Sequence, residues 1–448
     1  MKKSKFNKLF ISLILSFAFL FLNLNIVSAF DVKRTVQSNG LVLLHSENHN
    51  LPVVMVTLIM KAGQINETED KSGLVNLVAV LLPEGTENRK SADISEEIDF
   101  IGASLNVSAG NDYITITLSI LKKDVNKGFE IFSDILLNPA FPEEEIERKK
   151  DRIKGFLIRF EQEPSFIAER AFKKEIFGEH PYGRLIEGSL QTIDNITRQD
   201  IVTFDSQYFL PNNSILSVVG DVTSGELDNL LEKYLGNWKK EELPQKVVRE
   251  TDKAKKEKVI KIDRDLTQAN IIIGELGINR DNPDYYAFSV MNYILGGGGF
   301  SSRLMQSIRD EMGLAYDVHS FFTAYRKGGF FQIGLQTKNE SANIAIEEII
   351  NQVEKMRKDG ISEQELTDAK SYLTGSFKRR LDTNRKVADF LASVEFFGLG
   401  IDYVEKYPGY INSVTKEDVL RVTRKYLDPE KFVFVIVANL EKASIKIQ

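Results

Sequence analysis

Cysteine is absent from the chain, and histidine occurs only four times in 448 residues. The first absence excludes disulfides, thiolate zinc sites and a lipid-modified N-terminal cysteine. The second leaves little from which to build an imidazole metal centre. His45, His49, His180 and His319 are scattered, and no Ser–His–Asp or cysteine-based nucleophile set can be assembled around them. Basic charge is short as well, with 58 Lys and Arg against 64 Asp and Glu. That acidic balance argues against nucleic acid as a partner. Long apolar runs are missing except at one place, Leu9 to Leu22, which follows Lys2, Lys3, Lys5 and Lys8. With Val27-Ser28-Ala29 behind it, residues 1–29 read as a signal peptide cut before Phe30. The run is short for a ~20-residue membrane span. The expectation is an exported, periplasmic protein with no membrane span in the mature chain. Losing the four lysines takes its net charge from −6 to −10.

What is present is a chain built twice. The segments "ITRQDIVTFDSQYFLPNNSILSVVGDV" from Ile196 and "VTKEDVLRVTRKYLDPEKFVFVIVANL" from Val414 match at a constant offset of 218. Thr197/Thr415, Asp200/Asp418, Tyr208/Tyr426 and Pro211/Pro429 pair without a gap. Each copy opens on a Thr-x-x-Asp cap, ends its helix before a proline turn, and continues into a β-branched run that reads as a buried strand. A second pair, from Phe141 and from Ile361, matches at an offset of 220. Two independent segments with nearly one offset indicate a tandem duplication.

The stretch Lys239–Lys258 is charged, contains Pro244 and lacks apolar periodicity, so it reads as a linker. It separates an N-terminal domain, 30–238, from a C-terminal domain, 259–448. Strands are predicted at Val53–Met60, Asp112–Ile120, Asn270–Glu275 and Gly329–Thr337, and helices at Asn126–Leu137 and Ala342–Lys358. The fold class expected is α+β, two homologous sandwich domains with helices on one face of each sheet.

"SGLVNLVAVLLPEGT", Ser72 to Thr86, is an apolar helix that stops at Pro83 and turns at Gly85. In length and frame it resembles the metal helix of the inverted-zincin metallopeptidases, the pitrilysin/insulinase and processing-peptidase family, which carries H-x-x-E-H. "HPYGRLIEGS" from His180, "YFLPNNSILSVVGDV" from Tyr208 and "GGGGFSSRLMQSIRDEMGLAYDV" from Gly296 are similar to the same family. The resemblance covers the mature chain and implies two related α+β domains that form half of a clamshell chamber around a peptide substrate.

Carried over residue by residue, the metal set is gone. Asn76 stands at the first His, Ala79 at the Glu general base and Val80 at the second His. The family's remaining carboxylate ligand falls on Phe156, 76 residues after Val80. A catalytic zinc of this type needs three protein ligands and an open position for water. No metal is therefore expected in this chain, and His45 and His49, four apart in a strand that runs into a turn, do not replace it. The resemblance implies that active members also use an Arg and a Tyr seven residues apart to hold the scissile carbonyl and the substrate backbone. Arg309 and Tyr316 have that spacing. Gly296, Gly297, Gly298 and Gly299 read either as a flexible lip over a peptide or as a helix C-cap with a loose turn. The leading expectation is a catalytically silent, substrate-binding subunit that forms a heterodimer with a zinc-bearing relative and lends it Arg309 and Tyr316. The alternative is a stand-alone exported peptide-binding or scaffold protein without peptidase activity.

Overall fold

The computed structural model describes residues 31–245 and 258–447; the expected signal peptide, and 246–257 of the expected linker, lie outside the described residues. Eleven strands form two sheets among the described residues. The first contains β1 (Lys33–Val36), β2 (Val42–Glu47), β3 (Val53–Met60), β4 (Ser104–Ala109), β5 (Ile114–Leu121) and β6 (Ser214–Gly220), in the order β1-β2-β6-β3-β5-β4. The second contains β7 (Lys258–Asp263), β8 (Gln268–Leu276), β9 (Ala315–Tyr325), β10 (Gly328–Lys338) and β11 (Val433–Ala438), in the order β7-β11-β8-β10-β9. The duplication is visible in this order. In each sheet one pair is parallel, β2 with β6 and β7 with β11, and the strands beyond it run antiparallel out to a free edge, β4 or β9.

The helices used below are α1 (Leu74–Leu81), α2 (Val125–Leu137), α3 (Glu143–Phe160), α4 (Pro164–Phe177), α5 (Arg198–Tyr208), α6 (Tyr285–Asn292), α7 (Ala342–Asp359), α8 (Glu363–Phe377), α9 (Asn384–Phe396) and α10 (Lys416–Tyr426). The two repeated caps behave as their sequences require. Thr197 Oγ1 accepts the Asp200 N–H at 3.2 Å and Thr415 Oγ1 accepts the Asp418 N–H at 3.1 Å, each with the reciprocal aspartate bond.

The expectation of helices on one face of each sheet needs correction. Every residue of β6 and of β11 is buried, on both sides of the strand. One face of the first sheet packs on α1, α2 and α5. Its other face, Val42, Leu44, Ile59, Ile215 and Val219, is covered by Val387, Ala388, Leu391 and Ala392 of α9, a helix of the second half. The second sheet is treated in kind: Ile272, Leu276, Phe330, Val433 and Val435 pack on Ile167, Phe172 and Ile176 of α4, a helix of the first half. The exchange is reciprocal, and α4 and α9 lie 220 residues apart, the offset of the repeat. A buried Asp112 joins the halves again, accepting the Tyr182 hydroxyl and the backbone N–H of Arg326 at 2.9 Å. Burial pushes its carboxyl above the ordinary range.

Two outcomes are expected from this packing. Phe172 is fully buried between α4 and the second sheet. Phe172→Ala should cost about 3–5 kcal/mol in urea unfolding, and both halves should unfold in one transition because each sheet is roofed by the other half. On α5, Asp205 Oδ1 is shielded and has no hydrogen-bond partner, and burial raises its carboxyl to about 7. The folded state then holds a proton that the unfolded chain has already released between about pH 4 and pH 7, so stability falls as pH rises through that window. Asp205→Asn should remove the fall, and its advantage in thermal melts should grow from pH 5 to pH 8.

Candidate functional site

α1 is seated from below by Glu67, a buried carboxylate that accepts the backbone N–H of Val75 at 2.7 Å and of Gly73 at 3.3 Å. An anion at a helix N-terminus satisfies free donors and favours the dipole. The helix is therefore held firmly, yet its outward groups are inert. Asn76 and Val80 are half-buried, and Ala79 is fully buried. Phe156 on the neighbouring α3 has its ring 4.1 Å from Phe160 and 6.4 Å from Phe166. Val80 and Phe156 both pack against the first core. One carboxamide, two aliphatic groups and an aromatic ring do not make a zinc donor set, so the residues present do not fit the metal.

The histidines are placed elsewhere. His45 is buried in β2 with Nε2 3.0 Å from the Val222 carbonyl, and burial lowers its pKa. His49 lies in the turn after that strand, with Nδ1 2.6 Å from Asp221. His180 accepts the Tyr182 N–H at 3.2 Å, and His319 pairs with Asp317 at 2.8 Å. No group of three or more metal-ligating side chains comes together among the described residues.

Arg309 and Tyr316 do come together. Arg309 lies on a widened helical segment, Met305–Glu311, and Tyr316 is the second residue of the edge strand β9. The Arg309 guanidinium carbon sits 5.3 Å from the Tyr316 ring centroid and 4.6 Å from that of Phe300. Tyr316 is 86 % exposed and Phe300 67 %. Tyr316 is thus stacked at the surface on a half-buried Arg309, a poor use of an aromatic side chain for stability alone. Both Arg309 and Tyr316 line a cleft of about 740 Å³ whose other walls are β8, β10 and the start of α4. Ser165 of α4 lines it too, one residue from Phe166, which packs on Phe156.

Sequence reasoning missed two features of this cleft. Phe300, an apolar residue directly after a glycine run, extends the stack on Arg309. The floor is a row of carboxamides, Gln268, Asn270, Gln332 and Gln336. Their period-two spacing in otherwise apolar strands was the available signal. Gln332 is 5 % exposed, and its Oε1 has no partner.

The four glycines serve different needs. A side chain at Gly296 would collide with the Ser320 backbone nitrogen at 2.5 Å, one at Gly297 with the Asn292 amide at 2.6 Å and one at Gly298 with the Tyr293 carbonyl at 2.8 Å. Only Gly299 adopts a positive φ, +59°, in open space. Close approach accounts for three of them and the turn for the fourth.

Two family models match the chain: "Insulinase (Peptidase family M16)" over residues 42–189 and "Peptidase M16 inactive domain" over 195–373. An uncharacterized zinc protease of Rickettsia bellii is 26 % identical over 414 residues, 91 % of each chain. A Helicobacter pylori protein named non-peptidase homolog YmxG is 27 % identical, covering 89 % of this chain and 92 % of its own. The crystal structure of a peptidase M16 inactive domain from Pseudomonas fluorescens superposes with a TM-score of 0.85 at 27 % identity, over 91 % of this chain and 98 % of that one.

The donor chemistry at Asn76, Ala79, Val80 and Phe156 leads to a direct expectation. The purified chain should carry well under one zinc per molecule by elemental analysis and should cleave no peptide above background; about one tightly held zinc per chain would contradict the assignment.

Proposed function

The chain belongs to the insulinase peptidases, family M16, as a homologue with an inactive metal site, and we propose that it is the substrate-binding, catalytically silent subunit of an exported two-chain zinc peptidase. The single observation that carries this reading is the contrast within one chain. The metal positions hold a carboxamide, two aliphatic groups and an aromatic ring, while a half-buried Arg309 and an exposed Tyr316 stack together in the lining of a cleft. Loss of function throughout would leave no reason to keep both donors at one surface.

In this reading the zinc belongs to a family relative, and no step runs through a metal in this chain. Arg309 donates from its guanidinium to the carbonyl under attack, and Tyr316 donates from its hydroxyl to the same oxygen or to the neighbouring backbone. Both bonds strengthen as charge builds on the carbonyl oxygen, so the pair lowers the barrier rather than tightening ground-state binding. The cleft floor supplies carboxamides that accept and donate to an extended peptide backbone. Residues 1–29 supply export, and the periplasm is the compartment proposed. A stable pair of this kind buries on the order of 1,000 Å² or more. The similarity to the H. pylori protein named as a non-peptidase homolog supports a chain that does not itself cleave.

The test is made in a purified complex of verified zinc content. Arg309→Ala and Tyr316→Phe should each leave assembly and metal unchanged and lower kcat by ~10²–10³-fold. Asn76→Asp serves as the control and should leave turnover as it is. Full turnover in both donor variants would overturn the role in trans, and absence of any zinc-bearing partner would favour the stand-alone peptide-binding protein.

A further inference from the structure

A second cleft, of about 690 Å³, opens on the other side of the second half. Its walls are α6, α8 and α9 with the turns around them. Ser289, Asn292 and Tyr293 line it with the i, i+3, i+4 spacing that Asn76, Ala79 and Val80 have on α1. Ser376, 220 residues after Phe156, lines it from α8. α6 follows β8 and precedes β9 as α1 follows β3 and precedes β4, so the cleft occupies, in the second copy of the repeat, the place that corresponds to α1 and Phe156 in the first. There the place is filled by Phe156 and its neighbours; here it is open.

The chemistry of the lining is one-sided. Arg280, Arg379 and Arg380 all border the cleft, and no Asp or Glu does. None of the three has a carboxylate partner within 4.0 Å among the described residues, although neighbouring cations such as Arg303 and Arg421 are paired with Glu365 and Asp284. Arg280 is held in place. Its Nη2 donates to the Tyr403 hydroxyl at 2.8 Å, and its guanidinium carbon lies 3.7 Å from the centroid of the Tyr285 ring. That stacking fixes the plane of the fork and leaves other N–H groups for a ligand. Arg379 and Arg380 are exposed at the rim, over Tyr372 and Phe377. In an acidic chain, an all-basic concave surface walled by low-dielectric aromatic rings concentrates positive potential.

The two clefts are joined by one loop. Gly297 lines this one, and Phe300, three residues on, stacks against Arg309 at the other. The geometry points to a docking site for the carboxylate-bearing segment of a peptide: Arg280 takes a carboxylate on the floor, Arg379 and Arg380 take others at the rim, and the tyrosine and phenylalanine wall takes the apolar side chains between them. An extended peptide follows the Gly297–Phe300 loop from one cleft to the other. The site rests on the peptide-binding role proposed above, but not on a partner or on catalysis. An inorganic oxyanion shares the arginines and makes no use of the aromatic wall.

The experiment uses the lone mature chain and fluorescence anisotropy with a labelled peptide of alternating Glu and Phe, an otherwise identical peptide with Lys for Glu, and inorganic phosphate as competitor. The Glu peptide should bind at least about tenfold more tightly than the Lys peptide, as expected when charge-assisted hydrogen bonds form on one of them only. Its affinity should fall as salt rises. Arg379→Gln with Arg380→Gln, at exposed positions with no ion pair to lose, should weaken the Glu peptide about tenfold or more with thermal unfolding unchanged. Arg280→Lys keeps the charge, loses the fork and should weaken it as well. Equal binding of the two peptides, wild-type affinity in the double variant, or displacement by phosphate at concentrations comparable to the peptide would each overturn the site. Because the readout is binding by the lone chain, a failure of Arg309 and Tyr316 to act in trans leaves this result untouched.

Discussion

A strand whose side chains are buried on both faces must be roofed twice, and β6 and β11 impose that condition on the whole molecule. Each half has enough helix to cover one face of its own sheet. The second face is covered by the helix that leaves, α9 over the first sheet and α4 over the second. Exposure of either face would put a row of Val, Ile and Leu side chains into water at roughly 1.5–3 kcal/mol each. The halves are thereby made into one body, and Asp112, with its bonds to Tyr182 and Arg326, adds a polar tie at the same junction. One cleft follows from the exchange: α4, from the first half, walls the cleft of Arg309 against the second sheet, whereas the cleft of Arg280 is lined by the second half alone.

Against that frame, the loss of the metal set is a substitution of one kind of packing for another. A buried cluster of ionised ligands is stable only while the metal compensates the charges. Val80, Phe156, Phe160 and Phe166 remove that dependence by replacing charge with apolar contact. The helix itself is retained, with Glu67 still bonded to its N-terminus, because α1 is part of the first core regardless of chemistry. The second half shows the opposite pattern. Tyr316 and Phe300 face solvent, and Gln332 leaves a buried oxygen without a partner, which are costs to the fold that burial does not repay.

Much of this was legible in the residues. β3 spans Val53–Met60 as its apolar pattern predicts, and α7 begins at Ala342 and runs one residue past the predicted end, because periodicity over eight or more residues is a strong local signal. The Thr197 and Thr415 caps formed with their aspartates, since both partners sit within one turn. The degenerate positions on α1 and α3 were read from the family resemblance, carried over residue by residue. The cover on the second face of each sheet was not, because nothing local to α4 or α9 says which sheet their apolar stripes will meet.

The same division runs through the sites. Sequence by itself determined the duplication, the strand and helix periods and the seven-residue spacing of Arg309 and Tyr316, all of which depend on residues near one another in the chain or on a repeat offset; the emptied metal motif needed the family resemblance as well. Tertiary structure alone decided that Phe300 stacks on Arg309, that four carboxamides share one sheet face, and that Arg280 meets Tyr403 across 123 residues while Arg379 and Arg380 border the same cleft. These contacts join segments whose separation in sequence carries no period and no motif. They exist because burying both faces of two sheets leaves the chain one way to close, and that closure sets which side chains are neighbours.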